Sequence, residues 1–345
     1  MKKPTFAPST LMGFLLWALV LATGTVSARN PIPEESGFSG FINAGAIYTD
    51  VESNMVAGNK FGDVGNRTVG SIFAKPGSES DVFPLLNADI RYTFASTRTQ
   101  LFIGNRLEDF VRFDMATQVG VRQGLPDSSS VSVSFVISSF PAEVWADPYV
   151  AGVPRAKTDR ENIGFRLTWD NLLNTRAGVI YTYRNIDLDS ELSGLTQLGL
   201  SPAAAALLNR EGDHHEAEVY YDWRLRERHI LSPAFRYNRF DLDGDAMAND
   251  RYSLQLTYAY RGDRFTVVAN GVVGRGNYDV VNPIYLTKRQ DDIYGGALQL
   301  FWHRPFGAPK GLSLLGTLFF QENDTNIDFY DAQTFATGLS AFYRF

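Results

Sequence analysis

The 345-residue chain contains no cysteine, which excludes a structural disulfide, a thiolate metal site and a thiol-borne lipid anchor. Beyond residue 28 no apolar run reaches the roughly 18 residues that would suggest a spanning helix. Histidine is confined to His214, His215, His229 and His303, and acid–base or nucleophilic catalysis usually needs a histidine held beside a carboxylate or a serine. The serine-rich stretch from Ser128 to Ser139 has no histidine nearby in sequence. There is no phosphate-cradling glycine loop, no nucleotide fingerprint and no basic patch. A net charge of −6 also argues against nucleic acid as a partner. No residue pattern calls for a cofactor.

What is present begins at the N-terminus. Lys2 and Lys3 precede an apolar run from Leu11 to Ala22 and the small-residue site Val26, Ser27, Ala28, the order of a cleavable secretory signal. A dozen apolar residues fall short of the roughly 20 a membrane helix needs. The expectation is a signal peptide over 1–28 and a single domain over 29–345, its charge moved to −8 by loss of the two lysines.

Within that domain the dominant signal has period two. Leu86, Ala88, Ile90, Tyr92 and Phe94 alternate with Asn87, Asp89, Arg91 and Thr93, and Tyr252, Leu254, Leu256, Tyr258 and Tyr260 alternate with Ser253, Gln255 and Thr257. Successive side chains of a strand point to opposite faces, so each segment has one greasy and one polar side. The same pattern recurs at 111–121, 163–169 and 217–224. With weaker copies, fourteen strands are expected near 38–48, 85–94, 100–106, 111–122, 130–138, 162–170, 175–184, 215–224, 230–239, 250–260, 265–274, 292–302, 311–321 and 333–345; a count of 12 or 16 also fits the spacing.

Connections alternate between short and long, with one break in the rhythm near 107–110. Short turns on one rim and long loops on the other are the habit of outer-membrane barrels, and distinguish this pattern from a soluble sandwich. Aromatics give a second test. Strands running to the short-turn rim end in Phe94, Trp169, Trp223, Tyr260, Trp302 and Phe345, and the opposite rim carries Tyr48, Tyr183, Tyr237, Tyr252, Tyr294, Phe320 and Phe335. Two such belts are what a bilayer selects. The fold class expected is therefore an all-β, transmembrane, antiparallel up-and-down barrel in the outer membrane of a Gram-negative cell, in contact with lipid and lipopolysaccharide.

The last strand alternates Phe335, Thr337, Leu339, Ala341, Tyr343 and Phe345. In this the chain resembles Gram-negative outer-membrane proteins, porins included, and the resemblance implies that Tyr343 and Phe345 form the signal read by the barrel-assembly machinery. A narrower likeness starts at Gly37, Phe38, Ser39, Gly40, Phe41, Ile42 and Asn43 and continues to Ser53 and Asn54. It is similar to a proteobacterial outer-membrane family known only as a domain of unknown function, and implies no catalytic or binding residue.

If the greasy faces meet lipid, the alternate faces line the interior. That set is Asp89, Arg91, Arg106, Arg112, Asp114, Arg122, Arg166, Arg176, Arg184, Glu216, Glu218, Asp222, Arg224, Arg236 and Arg251, with Arg344. Charges cannot sit unpaired in an apolar core, so the interior is expected to be wet or densely networked. Fourteen strands lie between a filled eight-stranded barrel and a water-filled porin. The function expected is a passive, porin-like diffusion channel for small solutes, with arginine excess leaning toward anions.

The loop at 186–212 is the candidate constriction. Ser201 and Pro202 mark a helix start, Ala203 to Leu208 read as the helix, and Leu195, Leu198, Leu200, Leu207 and Leu208 give the loop apolar surface to pack into the mouth, on other loops or on a partner. Two other readings stay open. One is a non-conducting structural or surface-interaction barrel plugged by arginine–carboxylate pairs. The other is a hydrolase built on His214 and His215 beside Asp213 and Glu216. Asp241, Asp243, Asp245, Asn249 and Asp250 resemble a calcium loop, but Gly244 comes fourth and Tyr252 twelfth where that motif needs glycine sixth and glutamate twelfth. A solvated acidic loop is expected there.

Overall fold

The structure, a computed structural model, describes residues 32–105, 116–138 and 142–345. Fourteen staves form one antiparallel wall: β1 Gly37–Ser53, β2 Ser78–Phe94, β3 Thr99–Gly104, β4 Ala116–Gly124, β5 Ser130–Ser138, β6 Lys157–Asp170, β7 Ala177–Leu188, β8 Gly212–Tyr221, β9 His229–Leu242, β10 Asn249–Arg261, β11 Phe265–Asn282, β12 Thr287–His303, β13 Leu312–Thr325 and β14 Ala332–Arg344. Trp223–Arg226 continues β8 along β9 in the same register, with an irregularity between Arg224 and Arg226. β1 pairs with β2 on one side and, from Phe41↔Arg344 to Ser53↔Ala332, with β14 on the other. The ring is closed, so the wall has no edge strand to leave backbone groups unpaired in hydrocarbon. Staves about 4.8 Å apart and tilted by about 40° close a ring roughly 28 Å across between backbones.

Alternation sorts the faces as expected. On β10, Tyr252, Leu254 and Leu256 are exposed on the outside, between less exposed Arg251, Ser253 and Gln255. Phe94, Trp169 and Phe345 are exposed at the short-turn rim. Trp223, Tyr260 and Trp302 are half-buried against neighbouring rings, Tyr221, His229 and Phe265. At the other rim Tyr237 meets Tyr252 at 5.1 Å and Tyr183 meets Phe165 at 5.4 Å. The wall is thus a transmembrane barrel with an apolar band between two aromatic belts.

The long-loop end differs from the sequence expectation. β2 begins at Ser78, β6 at Lys157 and β12 at Thr287, and β11 runs on to Asn282. These extensions rise above the apolar band, where outward positions such as Asp50, Glu52 and Ser80 are polar. With both faces polar, alternation disappears although pairing continues. Three further short strands, Val56–Asn59, Gly62–Asp63 and Ala142–Trp145, complete the wall where β3 and β4 are short. Ala142–Trp145 pairs with the start of β6 on one side and with Val56–Asn59 on the other. The expected strand at 111–122 is described only from Ala116, so Arg106, Arg112 and Asp114, like the proposed signal peptide over 1–28, lie outside the described residues.

The interior also departs from expectation. A polar lining holds for β4 to β10, whereas β1, β2, β12, β13 and β14 mix apolar inward residues with polar ones such as Asp89, Arg91, Asp291 and Gln299. Phe41, Ile47, Val51, Phe83, Leu85, Phe301, Leu315, Phe319 and Phe342 form one buried cluster there. These staves are greasy on both faces, as the doublets Phe41–Ile42, Leu85–Leu86, Leu314–Leu315 and Phe319–Phe320 record, and a period-two reading credits only one residue of each doublet to lipid.

If the outer face meets hydrocarbon, Leu254→Arg, in the middle of β10, should lower the unfolding free energy in phospholipid bilayers by about 2–4 kcal/mol. Urea titration of the folded barrel measures this, and a cost near zero would contradict a lipid-facing side chain.

Candidate functional site

The polar side of the lumen is a set of matched charges. Glu218, fully buried, accepts from Arg236 at 3.0 Å, and Glu216 lies 3.5 Å from the same guanidinium. Arg122 donates to Ser130 Oγ at 2.8 Å and reaches Asp170 at 3.3 Å, and Asp170 also accepts from Tyr220. Arg91 pairs with Asp89, and Arg166 donates to Thr182 Oγ1 at 3.0 Å. Antiparallel register brings these partners together: Glu218 faces Arg236 directly, as Arg166 faces Thr182. At the short-turn rim Asp222 accepts from Ser232 at 2.6 Å, and Arg224 is exposed.

Toward the outer mouth the balance changes. Arg160 occupies an inward position near the start of β6, and the charged groups whose fields reach it are Arg210, Arg184 and Arg251. Among the described residues no carboxylate lies within ion-pair distance of it. Arg210 is held by Glu191 at 2.6 Å, and Arg251 by Asn249 at 2.9 Å and Asp291 at 3.7 Å. Asp291 is shared with Arg289, whose guanidinium sits between the rings of Tyr278 at 4.5 Å and Tyr330 at 4.1 Å. Sequence reasoning missed Arg160, Arg289 and Asp291 because their segments are polar on both faces and show no alternation.

Above this cluster the long loops fold together. Tyr149, Leu208, Ala246, Met247, Ile327, Phe329 and Tyr330 form a buried apolar core, with Met55, Ile72, Leu198, Leu200, Leu207, Val280 and Tyr285 packed against it. Residues from six of the outer connections contribute. Loop 186–212 therefore packs on the other loops, and its helix, Pro202–Ala206, is capped by Ser201, which accepts from the Ala204 amide at 3.3 Å. Tyr149, between β5 and β6, meets Tyr330, between β13 and β14, hydroxyl to hydroxyl at 2.6 Å, and Asn282 donates to Tyr330 at 2.8 Å. Loops from nearly opposite sides of the ring thus meet over the bore.

The cap also encloses a cation. Arg155, 2 % exposed, donates to the carbonyls of Asn54 at 2.8 Å and Pro148 at 3.1 Å, with its guanidinium 4.3 Å from the Trp145 ring. Burial lowers its pKa to about 10, so it stays charged at neutral pH.

His214 and His215 do not form one site. His214 faces inward, bonded to Asn238 at 2.9 Å and stacked on Phe240 at 4.2 Å. His215 faces outward, 2.8 Å from the Tyr181 hydroxyl. Neighbours on a strand point apart. His229 binds Tyr258 at 2.7 Å, and His303 binds Thr266 at 2.8 Å and Ser313 at 2.9 Å. Two acidic residues of the calcium-like stretch lie within 4 Å of one guanidinium, Arg239 at 3.0 Å from Asp241 and 3.9 Å from Asp250, and Asp250 also accepts from Tyr237.

Residues 37–344 match the model of a family described as "Protein of unknown function (DUF2860)". No curated protein is similar to the chain in sequence. Among solved structures, it is similar to the CymD monoaromatic hydrocarbon channel, at 11% identity over 90% of this chain and 89% of that one, with a TM-score of 0.44. It is also similar to the outer membrane channel DcaP of Acinetobacter baumannii (10% identity, 90% and 97%, TM-score 0.43). A third is an anion-selective porin from Comamonas acidovorans (10% identity, 90% and 100%, TM-score 0.41). At these identities the cargo of each channel remains its own.

Tyr330→Phe would strand the Tyr149 hydroxyl and the Asn282 amide, at a cost of about 1–3 kcal/mol. That cost should appear as faster protease cleavage in the loops with the barrel intact; unchanged cleavage would mean the hydroxyl pair does not hold the cap. Burial pushes the Tyr330 hydroxyl up to about 12. A raised folded pKa stabilises below the ordinary value of about 10 and is lost as pH rises through the folded one. Cap protection should therefore be level through neutral pH and fall between about 10 and 12.

Proposed function

The chain belongs to the DUF2860 family, and we propose that it is a passive channel of the outer membrane for small solutes, leaning toward anions. The observation that carries this reading is Arg160, facing the bore near the mouth with no carboxylate within ion-pair distance among the described residues, while Arg210 and Arg251 are paired with Glu191 and Asp291. A lumen built only to be plugged would set a carboxylate opposite each guanidinium, as it does lower down at Arg236 and Arg122. An arginine without a carboxylate partner near an entrance raises the local concentration of anions and lowers their entry barrier. Lipid, lipopolysaccharide and the assembly machinery are the partners this reading implies, and loop 186–212, as part of the cap, is its constriction. The separation of His214 from His215 weighs against a hydrolase.

The cap favours a second reading, a barrel that does not conduct and works through its loops, because Tyr149 and Tyr330 meet over the bore.

Planar-bilayer recording separates the two. The channel reading expects ohmic steps with an anion-selective reversal potential; silent, correctly folded barrels would favour the second. A unit charge about 8 Å from a permeating ion is worth about 2 kcal/mol at an effective dielectric constant near 20, before salt screening. Arg160→Gln should therefore reduce the anion-to-cation permeability ratio severalfold at low salt, and an unchanged ratio would remove Arg160 from the path. Deleting 186–212 should raise conductance if that loop narrows the mouth.

A further inference from the structure

Where β11 and β12 reach the short-turn rim they border a cavity of about 750 Å³, with Asp263 and Arg264 on one side and Trp302, Arg304, Phe306 and Lys310 on the other. Antiparallel pairing brings the two sides together: Phe265 faces Trp302, and the His303 amide donates to the Arg264 carbonyl at 2.9 Å. Arg264, Arg304 and Lys310 are exposed. Among the described residues none of these three cations has a carboxylate within ion-pair distance, and the one acid at the cavity, Asp263, lies 2.9 Å from Arg228. His303 also borders the space, but both of its ring nitrogens are engaged, by Thr266 and by Ser313.

The rest of the wall is aromatic and open. Phe306 is 90 % exposed, its ring edge-on to Trp302 at 4.8 Å, and Trp302 lies 6.3 Å from Phe265. Phe306 has φ 54°, in the left-handed region that disfavours any residue with a bulky side chain. The backbone thus holds a phenyl ring outside the fold, beside the belt where hydrocarbon meets water. Toward the bilayer centre the outward face of β12 continues as Leu300 and Leu298, both exposed. Leu173, at φ 50° and 73 % exposed in the turn between β6 and β7, resembles Phe306 in backbone form, but residues 171–175 carry no charge.

Cations without acidic partners, and an apolar column that starts at the same opening, call for a ligand in two parts: an anionic group with hydrocarbon attached. The short-turn rim faces the periplasm at the level of the lipid headgroups. A phosphate there would accept charge-assisted hydrogen bonds from guanidinium and ammonium groups, while acyl chains lay along Trp302, Leu300 and Leu298. Three positive charges favour a headgroup of net negative charge over a zwitterionic one, whose own cation they repel.

We propose that this cavity binds an anionic phospholipid of the periplasmic leaflet, its phosphate held by Arg264, Arg304 and Lys310 and its chains against the outer face of β12. The site rests on the transmembrane placement of the barrel and is independent of whether the lumen conducts. Native mass spectrometry of the folded, detergent-solubilised protein, titrated with phosphatidylglycerol or with phosphatidylcholine of the same chains, tests it. Each basic residue near an anionic lipid strengthens binding about fivefold, so phosphatidylglycerol should bind about tenfold tighter or more, and replacing Arg264, Arg304 and Lys310 together by Gln should remove that preference. Phe306→Ala should weaken phosphatidylglycerol binding severalfold, whereas Leu173→Ala should leave it unchanged. Should the triple variant fail to fold, Lys310→Gln alone should cost about fivefold. Equal binding of the two lipids, or a preference that survives in the folded variants, would overturn the proposal. So would displacement of phosphatidylglycerol by an equal concentration of glycerol phosphate, since the ligand would then be a soluble phosphate and not a lipid.

Discussion

The pairing of β1 with β14 is the constraint on which the rest depends. Hydrocarbon offers no partner to a backbone amide or carbonyl, so a sheet enters a bilayer only when its first and last strands satisfy each other. Thirteen register pairs, from Phe41 with Arg344 to Ser53 with Ala332, close that seam. Closure fixes an inside and an outside for every stave, and thereby decides which half of each alternating segment meets lipid. Where β3 and β4 are short, the same requirement brings in the first long loop, whose short strands continue the wall beside Ala142–Trp145.

Inside, chemistry divides by stave. From β4 to β10 the lining is ion-paired, with carboxylates such as Glu218 and Asp170 neutralising arginines where little water reaches them. Removing one partner of such a pair would strand the other, so these contacts fix the shape of the bore on that side. From β12 through β14 to β2 the lining includes a phenyl and aliphatic cluster, packed as a soluble protein packs its core, among inward polar residues such as Asn43, Asp89 and Gln299. The bore is amphipathic around its circumference, a property that strand count and net charge do not convey.

Legibility in the sequence followed from the periodicity of each segment. Strands crossing the hydrocarbon could be found because lipid imposes one greasy face, and β10, from Asn249 to Arg261, was located within a residue or two of the expected 250–260. The helix at Pro202–Ala206 was legible through a local rule, a capping serine followed by proline. The upper walls were not, because above the membrane neither face is constrained and Lys157 to Asn162 is polar throughout. The matched pairs Arg236–Glu218 and Arg122–Asp170 could be named as interior residues, but their partnering depends on register, which hairpin geometry fixes and composition does not. Asn43, Asn87 and Gln299, buried on the inner wall, sit in strands whose apolar doublets blur the alternation.

Arg289 joins two parts of the molecule that are otherwise distinct. Its guanidinium is bound to Asp291 on the wall and lies against Tyr330 in the cap. Asp291 in turn faces Arg251, one of the cations around Arg160. A displacement of the outer loops that carried Tyr330 away would strip one aromatic face from this cation and alter the charge that Asp291 presents to the arginines below. The cap and the arginines beneath it are therefore joined through a single side chain.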